Sequence, residues 1–586
     1  MVYRPLLTLY ALLCSCLAMA ASPTTPNLLN DDTETFINQL LAAWGSPGGV
    51  AVAVVRKDVE NDAWLVETKG YGIAKINGSK VTENTLFGIA SNSKLFTVAA
   101  TGLLINNSTL SPRLSWTSKI ASIIPGWGLV DPIASKQATI LDAMSHRTGV
   151  PRHDLAYRET QDVTDIVAKM KYLPPSAEFR DVWQYSNTMY ILLSSLPKLL
   201  LPSRTPFTRY VKEHIFDPLG MSATTYSYIK ANASGLLADG LGRQGVDVRT
   251  DPFGKGMVRK LAFPATTGGE DGNSLAGPGG IISNAVDLAT WLQTLLQNGV
   301  KPGTNETVIP ADVLEKAASG ISVWSPKAAF PELSPVVYGG GLGRSSYRGH
   351  ELLEHGGNVP GYNSQISRLQ NDNIGVAVLS NDNSYGGTIV DIIKCHILDT
   401  ALGLEPIDWN ARYKGIISQA TSSAPVPAAR PANASLPVGG LKALAGKYTH
   451  PAYGDFEFCP FPSSNNTAVK SCRALASAVP QSLPGAVNPA IPTFLVTVDS
   501  PWATHLRFAH FDQAVFNVSV LRSTPTGNAT APYWTFDPDE FTPRLAEFSD
   551  GGIGLRGFWG EGNEVPTPEG NTPRERAEVW LERARA

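Results

Sequence analysis

The chain has 586 residues, of which 43% are hydrophobic and 17% charged, and a formal net charge of −3. That length is too great for one ordinary core and predicts two or three domains. The near-neutral balance and the absence of any basic run favour neither a nucleic-acid binder nor an anionic-membrane binder.

The first 20 residues read as a secretory signal. Arg4 supplies the positive start, Leu6 to Leu17 the apolar run, and Ala18-Met19-Ala20 an A-x-A cleavage site. No later stretch reaches the ~20 apolar residues of a membrane span, so no membrane association is expected once the signal is removed. Asn-x-Ser/Thr sequons at Asn77, Asn106, Asn107, Asn232, Asn305, Asn433, Asn465, Asn517 and Asn528 fit a secreted glycoprotein. Beyond the signal only Cys395, Cys459 and Cys472 remain. Cys459 and Cys472 are close enough to clip a hairpin or loop, which leaves Cys395 as a buried apolar residue.

Residues 31–45 carry Phe36, Leu40, Leu41 and Trp44 at helical spacing and stop at Gly45. Strand patterns follow at Gly49 to Val55, Trp64 to Ile73 and Thr85 to Ile89. Helices are expected at 91–105, 161–171, 186–200, 205–217 and 284–298. Strands return at Val336 to Leu342, Gln365 to Leu369 and Gly375 to Leu379, before a last helix at 386–403. The reading is an α+β domain over 28–415, with one antiparallel sheet built from both chain ends around a helical insertion. Residues 416–440 have the Ala/Pro/Ser composition of a linker. From 441 to 586 the texture is short, aromatic-rich, turn-bounded strands, which predicts an all-β barrel or sandwich.

Three Ser-x-x-Lys spacings occur, at Ser91–Lys94, Ser195–Lys198 and Ser227–Lys230. Positions i and i+3 share a helix face, so the amine can reach the hydroxyl. Pro197 breaks the second spacing, and only Ser91 follows a strand into a helix N-terminus, where free N–H groups favour developing negative charge. On the spacing alone Ser91 reads rather as a helix cap, with Lys94 a solvated residue. Two unique motifs add weight. Tyr185-Ser186-Asn187 is the one Tyr-x-Asn, and His355-Gly356-Gly357 the one His-x-Gly. By themselves they read as a buried tyrosine beside a helix cap, and as a Gly-rich turn entering a strand.

Ser-x-x-Lys, Tyr-x-Asn and His-x-Gly in this order resemble the penicillin-recognising serine hydrolases. These include class C β-lactamases, D-Ala-D-Ala carboxypeptidases, D-aminopeptidases and family VIII esterases. Leu141 to Val150 (LDAMSHRTGV) and Ala276 to Trp291 (AGPGGIISNAVDLATW) are similar to further stretches of that family. The likeness covers about 31–405, and the β-rich tail is similar, more weakly, to the extra domain of fungal secreted members. The resemblance implies that Ser91 attacks the acyl carbonyl while Lys94 and Tyr185 handle the proton. A free lysine near pKa ~10.4 is a poor base, so either its proton is destabilised or Tyr185 is a phenolate held by Lys94 and His355. Asn187 would bond Lys94 or the acyl amide, and the N–H groups of Ser91 and Asn358, beside Gly357, would form the oxyanion hole.

One departure matters. The β-lactamases proper mostly have Lys-Thr-Gly where this chain has His355-Gly356-Gly357, and Gly356 has no hydroxyl to hold a substrate carboxylate. The expectation is therefore a secreted hydrolase of a small-molecule ester, lactone or amide. An acyltransferase of secondary metabolism using the same acyl-enzyme is the alternative, and a silent binding scaffold a third. No cofactor or metal is expected, because His146 and His153 lack accompanying ligands and read as structural.

Overall fold

The computed structural model describes residues 26–424, 428–462, 469–538, 542–560 and 566–585. The signal read at 1–20 and the sequon at Asn465 lie outside the described residues.

Helix α1 (Asp31–Ala43) starts where Asn30 accepts the Thr33 N–H at 3.0 Å, and it buries Ile37, Leu40 and Leu41. Strands β1 (Gly49–Asp58) and β2 (Ala63–Gly72) follow. After the helical insertion come β3 (Ser322–Ser325), β4 (Val336–Tyr338), β5 (Gly343–Tyr347), β6 (His350–Val359), β7 (Tyr362–Leu369) and β8 (Ile374–Ser380). They form one sheet in the order β2-β1-β8-β7-β6-β5-β4-β3, and β1 pairs antiparallel with β8 through Val52↔Val378. The sheet is thus built from both ends of the domain, as the α+β pattern predicts.

Strand alternation splits the core. Val50, Val52 and Val54 face a layer formed by α1, α5 (Gly386–Ala401) and α6 (Trp409–Ser423). Ala51, Ala53 and Val55 face the opposite layer, which holds α2 (Ser93–Asn106), α3 (Asn187–Ser194) and α4 (Ala285–Leu296). Both faces are covered, which is why β1 reads as a continuous apolar run.

Several sequence-based boundaries change. The helix expected at 186–200 is two, α3 and Leu196–Leu200, because Pro197 cannot continue the first one. The strand expected at Thr85 to Ile89 shrinks to Phe87–Gly88, paired with Ile282–Ser283. The first part of the 416–440 stretch read as linker is helical, since α6 runs to Ser423. Asp408 caps α6 by accepting the Ala411 N–H at 2.8 Å, and Trp409, Tyr413 and Ile417 pack on the α5 layer. Its Ser/Ala-rich second half hid a helix that tertiary packing stabilises.

The C-terminal part is a closed antiparallel barrel, as expected. Its strands are β9 (Gly446–His450), β10 (Gly454–Phe461), β11 (Thr493–Thr497), β12 (His505–Asp512), β13 (Val515–Pro525), β14 (Leu545–Ser549), β15 (Gly552–Arg556) and β16 (Val579–Arg583). The order β12-β11-β10-β9-β16-β15-β14-β13 closes through β12–β13 pairing, while Tyr533–Phe536 pairs with β13 outside the ring. Closure leaves no open edge in the ring. Phe458 is a hub of the interior, 4.8 Å from Phe508 and 5.5 Å from Phe548 between ring centroids. The Cys459–Cys472 disulfide ties β10 to a helix, α7 (Lys470–Ser482), that the strand pattern did not reveal, and Cys395 is buried. Among the described residues no helix is long and apolar enough to cross a membrane.

Candidate active site

Ser91 sits on a tight turn between a strand and a helix. Phe87–Gly88 leads into a 3₁₀ turn at Ala90–Asn92, and α2 begins at Ser93. Ala90 has φ of +50°, a left-handed conformation that disfavours a residue with a Cβ. Ser364 Oγ donates to the Ile89 carbonyl at 2.7 Å and accepts from Asn92 Nδ2 at 2.8 Å, so the turn is held from the sheet.

Lys94, fully buried, reaches Ser91 Oγ at 2.9 Å. It also donates to Asn187 Oδ1 at 3.0 Å and to the Pro278 carbonyl at 2.8 Å. Both are fixed acceptors, because Asn187 Nδ2 already donates to Asp154 Oδ1 at 3.2 Å. Two of the amine's hydrogens are therefore committed. The third position faces Ser91, where it holds either an N–H or a lone pair. Tyr185 Oη lies 2.6 Å from Ser91 Oγ on the other side. One proton can thus pass along Lys94–Ser91–Tyr185 with no heavy-atom movement.

The Tyr185 ring is fixed from several directions. Lys94 Nζ lies 4.7 Å from its centroid and the Arg152 guanidinium 5.2 Å. His146 packs against it at 4.5 Å and its Nδ1 accepts the Ser186 N–H at 3.1 Å. His146 thus packs under the tyrosine and holds the start of the helix entry. The other Ser-x-x-Lys spacings lead nowhere. Ser195 Oγ donates to the Leu192 carbonyl and Lys198 pairs with Asp162 at the surface, while Ser227 caps Tyr228–Ala233.

Strand β6 closes the site. His355, Gly356, Gly357 and Asn358 lie within it, not in a turn before it. A Cβ on Gly357 would stand 2.2 Å from the Ile89 carbonyl and 2.4 Å from Ser364 Oγ, so only glycine lets β6 approach the nucleophile turn. Val359↔Tyr362 closes a two-residue turn, which puts the exchanging pairs at 355, 357 and 359. The Asn358 N–H consequently points away from β7, toward the free edge facing Ser91. At the start of the helical run, the Ser91 N–H also lacks an intrahelical acceptor. The site thus offers two backbone donors beside one hydroxyl.

His355 corrects one expectation. Its Nδ1 faces the Gly356 carbonyl at 2.5 Å and its Nε2 faces Tyr338 Oη at 3.1 Å. Burial, reinforced by the Lys94 charge, pushes its pKa down to about 3. A neutral ring bonded to Tyr338 supplies no cation to hold a Tyr185 phenolate. Nδ1–H donates to the carbonyl, and Nε2 accepts from Tyr338. Sequence reasoning also passed over Arg152, Asp154 and the Pro278 carbonyl. Pro278 lay within the AGPGG stretch, but nothing in the sequence marked the other two.

These histidines make stability pH-dependent. Burial holds His153 at about 4, and its Nδ1 accepts from Tyr453 Oη of the barrel at 2.7 Å. In the unfolded chain both histidines titrate near pH ~6.5. The folded form refuses protons the unfolded chain takes up, so stability is full above about pH 6.5 and falls as pH drops toward 4. Thermal melts at about pH 7.5 and 5 should show a clear fall in Tm, and His153→Gln should flatten that fall. A Tm equal at both pH values would contradict this account.

A cleft of about 1080 Å³ opens over Ser91, lined by Tyr185, His355 and Asn358 on one side and by barrel residues on the other. The segment 152–158 joins the two parts. The Arg152 N–H donates to the Trp559 carbonyl at 3.2 Å, and Arg158 donates to the Tyr453 carbonyl at 3.4 Å.

The Beta-lactamase family model matches residues 34–391. The chain is 30% identical over 462 residues to unguisins hydrolase ungD of Aspergillus violaceofuscus (strain CBS 115571), covering 73% of this chain and 76% of that one. It is 25% identical over 328 residues to a putative D-alanyl-D-alanine carboxypeptidase of Escherichia coli (strain K12), covering 50% and 73%. The octameric penicillin-binding protein homologue of Pyrococcus abyssi has the same fold, with a TM-score of 0.51 at 18% identity over 89% of this chain and 97% of that one. With the Ser91–Lys94–Tyr185 geometry in place, these matches show that the chain belongs to the beta-lactamase family and is a serine hydrolase.

Proposed function

We propose that Ser91 is acylated by a neutral ester, lactone or amide and that water then releases the acid. The observation that carries this reading is Ser91 Oγ standing 2.9 Å from Lys94 Nζ and 2.6 Å from Tyr185 Oη. As Ser91 attacks the carbonyl carbon, its proton passes to the Lys94–Tyr185 pair. The N–H groups of Ser91 and Asn358 hold the oxyanion, a contribution of about 3 kcal/mol for one such donor. The pair returns the proton to the departing alcohol or amine through Tyr185, and then takes one from the water that cleaves the acyl-enzyme.

The substrate class rests on Gly356. A Cβ there would meet Gln365 Oε1 at 3.2 Å, so a hydroxyl-bearing side chain would need that amide to shift, and Gly356 leaves the position without one. Without that hydroxyl a β-lactam or peptidoglycan carboxylate loses its anchor. A relative named as an unguisins hydrolase fits the same direction, toward the chemistry of secondary metabolites. The protein should turn over a short-chain p-nitrophenyl ester at least tenfold faster in kcat/KM than a chromogenic cephalosporin. A cephalosporin turned over faster would overturn this substrate class. Adding an alcohol or amine during turnover reads out transfer. Free acid as the sole product supports hydrolysis, and an acyl adduct as main product supports the transferase alternative.

We also place the enzyme in the secretory pathway as a glycoprotein. Asn77, Asn106, Asn232, Asn305, Asn433 and Asn528 are exposed, Asn107 and Asn517 are partly buried, and a disulfide suits an oxidising compartment.

A further inference from the structure

Three separate pieces of the barrel reach the cleft. They are the loop carrying Trp502, the strand end at Phe536, and the turn carrying Phe558 and Trp559. The turn is held firmly. The Glu578 carboxylate accepts the N–H groups of Phe558 at 2.5 Å and Trp559 at 3.0 Å, while Trp559 in turn accepts from Arg152 beside Tyr185. On the hydrolase side Trp183 and Trp324 stack at 5.6 Å to form a facing aromatic wall.

Two quantities say what fits between these walls. The volume, about 1080 Å³, exceeds the ~300–1,000 Å³ typical of pockets for a single drug-sized ligand. An acetyl or butyryl group would leave most of it to water. The second is hydrogen bonding. Trp183 and Trp559, 4% and 5% exposed, each keep an indole N–H with no acceptor among the described residues. Both donors are themselves sealed from the cleft, so what these residues present to a ligand is the apolar face of the indole ring.

We propose that the barrel is the substrate-selecting half of the active site. It receives a bulky, apolar acyl donor of peptide dimensions, laid between Trp183/Trp324 and Trp502, Phe536, Phe558 and Trp559. This rests on Ser91 being the nucleophile, and the barrel adds selectivity to that chemistry. Binding energy from parts remote from the reacting carbonyl is how such a wall raises kcat/KM for the larger substrate.

The test compares p-nitrophenyl acetate with the p-nitrophenyl ester of N-benzyloxycarbonyl-diphenylalanine, all-L and all-D, on the full chain. Wild type should prefer one of the bulky esters at least tenfold in kcat/KM. Phe558→Ala and Trp502→Ala should each cut that preference about tenfold, chiefly through KM. Trp559→Phe, which keeps an aromatic ring in the wall, should largely preserve it. Melting temperatures accompany each variant, and if one is unfolded, Phe536→Ala replaces it. A wild type that prefers acetate, or variants that slow both esters equally, would overturn the barrel's role. Turnover surviving in Ser91→Ala would instead overturn the nucleophile assignment and leave the preference ratio to be judged by itself.

Discussion

Replacing Ser91 with alanine should abolish covalent labelling by a fluorophosphonate and lower kcat by roughly 10⁴-fold or more, with little change in stability. The effect is local to one side chain. Ser91 Oγ is the one hydroxyl placed between Lys94 Nζ and Tyr185 Oη, and its side chain caps no helix amide. Removing it deletes the acyl-accepting atom but leaves the turn, which is tied down by Ser364 and Asn92, in place. Intact-protein mass spectrometry with the probe is the direct readout. Equal labelling of wild type and Ser91→Ala would remove Ser91 from its role.

The second large effect concerns Lys94 and Tyr185 as a unit. Lys94→Ala and Tyr185→Phe should each lower kcat by about 10³-fold, and the double variant should be scarcely worse than either single one. Both groups flank one oxygen, so the proton path is broken by losing either end, and a path broken once is not broken twice. Lys94 also commits two hydrogens to Asn187 Oδ1 and the Pro278 carbonyl. Lys94→Ala therefore leaves buried acceptors unmade and should cost stability as well, on the order of 1–3 kcal/mol. Tyr185→Phe removes one hydroxyl and should not. Kinetics for the double-variant cycle and urea melts on all four proteins separate these statements. Fully additive losses in kcat would show that the two groups act independently.

The neutral state of His355 changes how that unit works. A cationic His355 would have assisted a phenolate at Tyr185. Bonded to Tyr338 and held at a pKa near 3, it instead braces β6, whose Gly357 lets the strand lie against Ile89. The basic groups against the Tyr185 ring are Lys94 and Arg152. Arg152 is in turn held by Trp559, so the barrel touches the proton path as well as the cleft.

The order of three motifs, two of them unique in the chain, marked Ser91, Lys94 and Tyr185, and the structure brings the three together around one oxygen. Those residues are legible because the chemistry demands fixed types at fixed local spacings: Ser91 and Lys94 lie one turn apart, and Tyr185 and Asn187 share one helix entry. The two-domain plan was legible for a similar reason, since a sheet buried on both faces and a closed barrel leave different periodicities in the chain. What stayed hidden depends on contacts between distant segments. Helix α6 was masked by a polar surface and declares itself only through Trp409, Tyr413 and Ile417 packing on α5. The neutrality of His355 follows from burial, which no local pattern records. The wall formed by Trp502, Phe536, Phe558 and Trp559 draws on three barrel segments that carry no shared motif. Local order along the chain therefore marked Ser91 and its neighbours, and tertiary packing alone decided the charge around them and the shape of the cleft above.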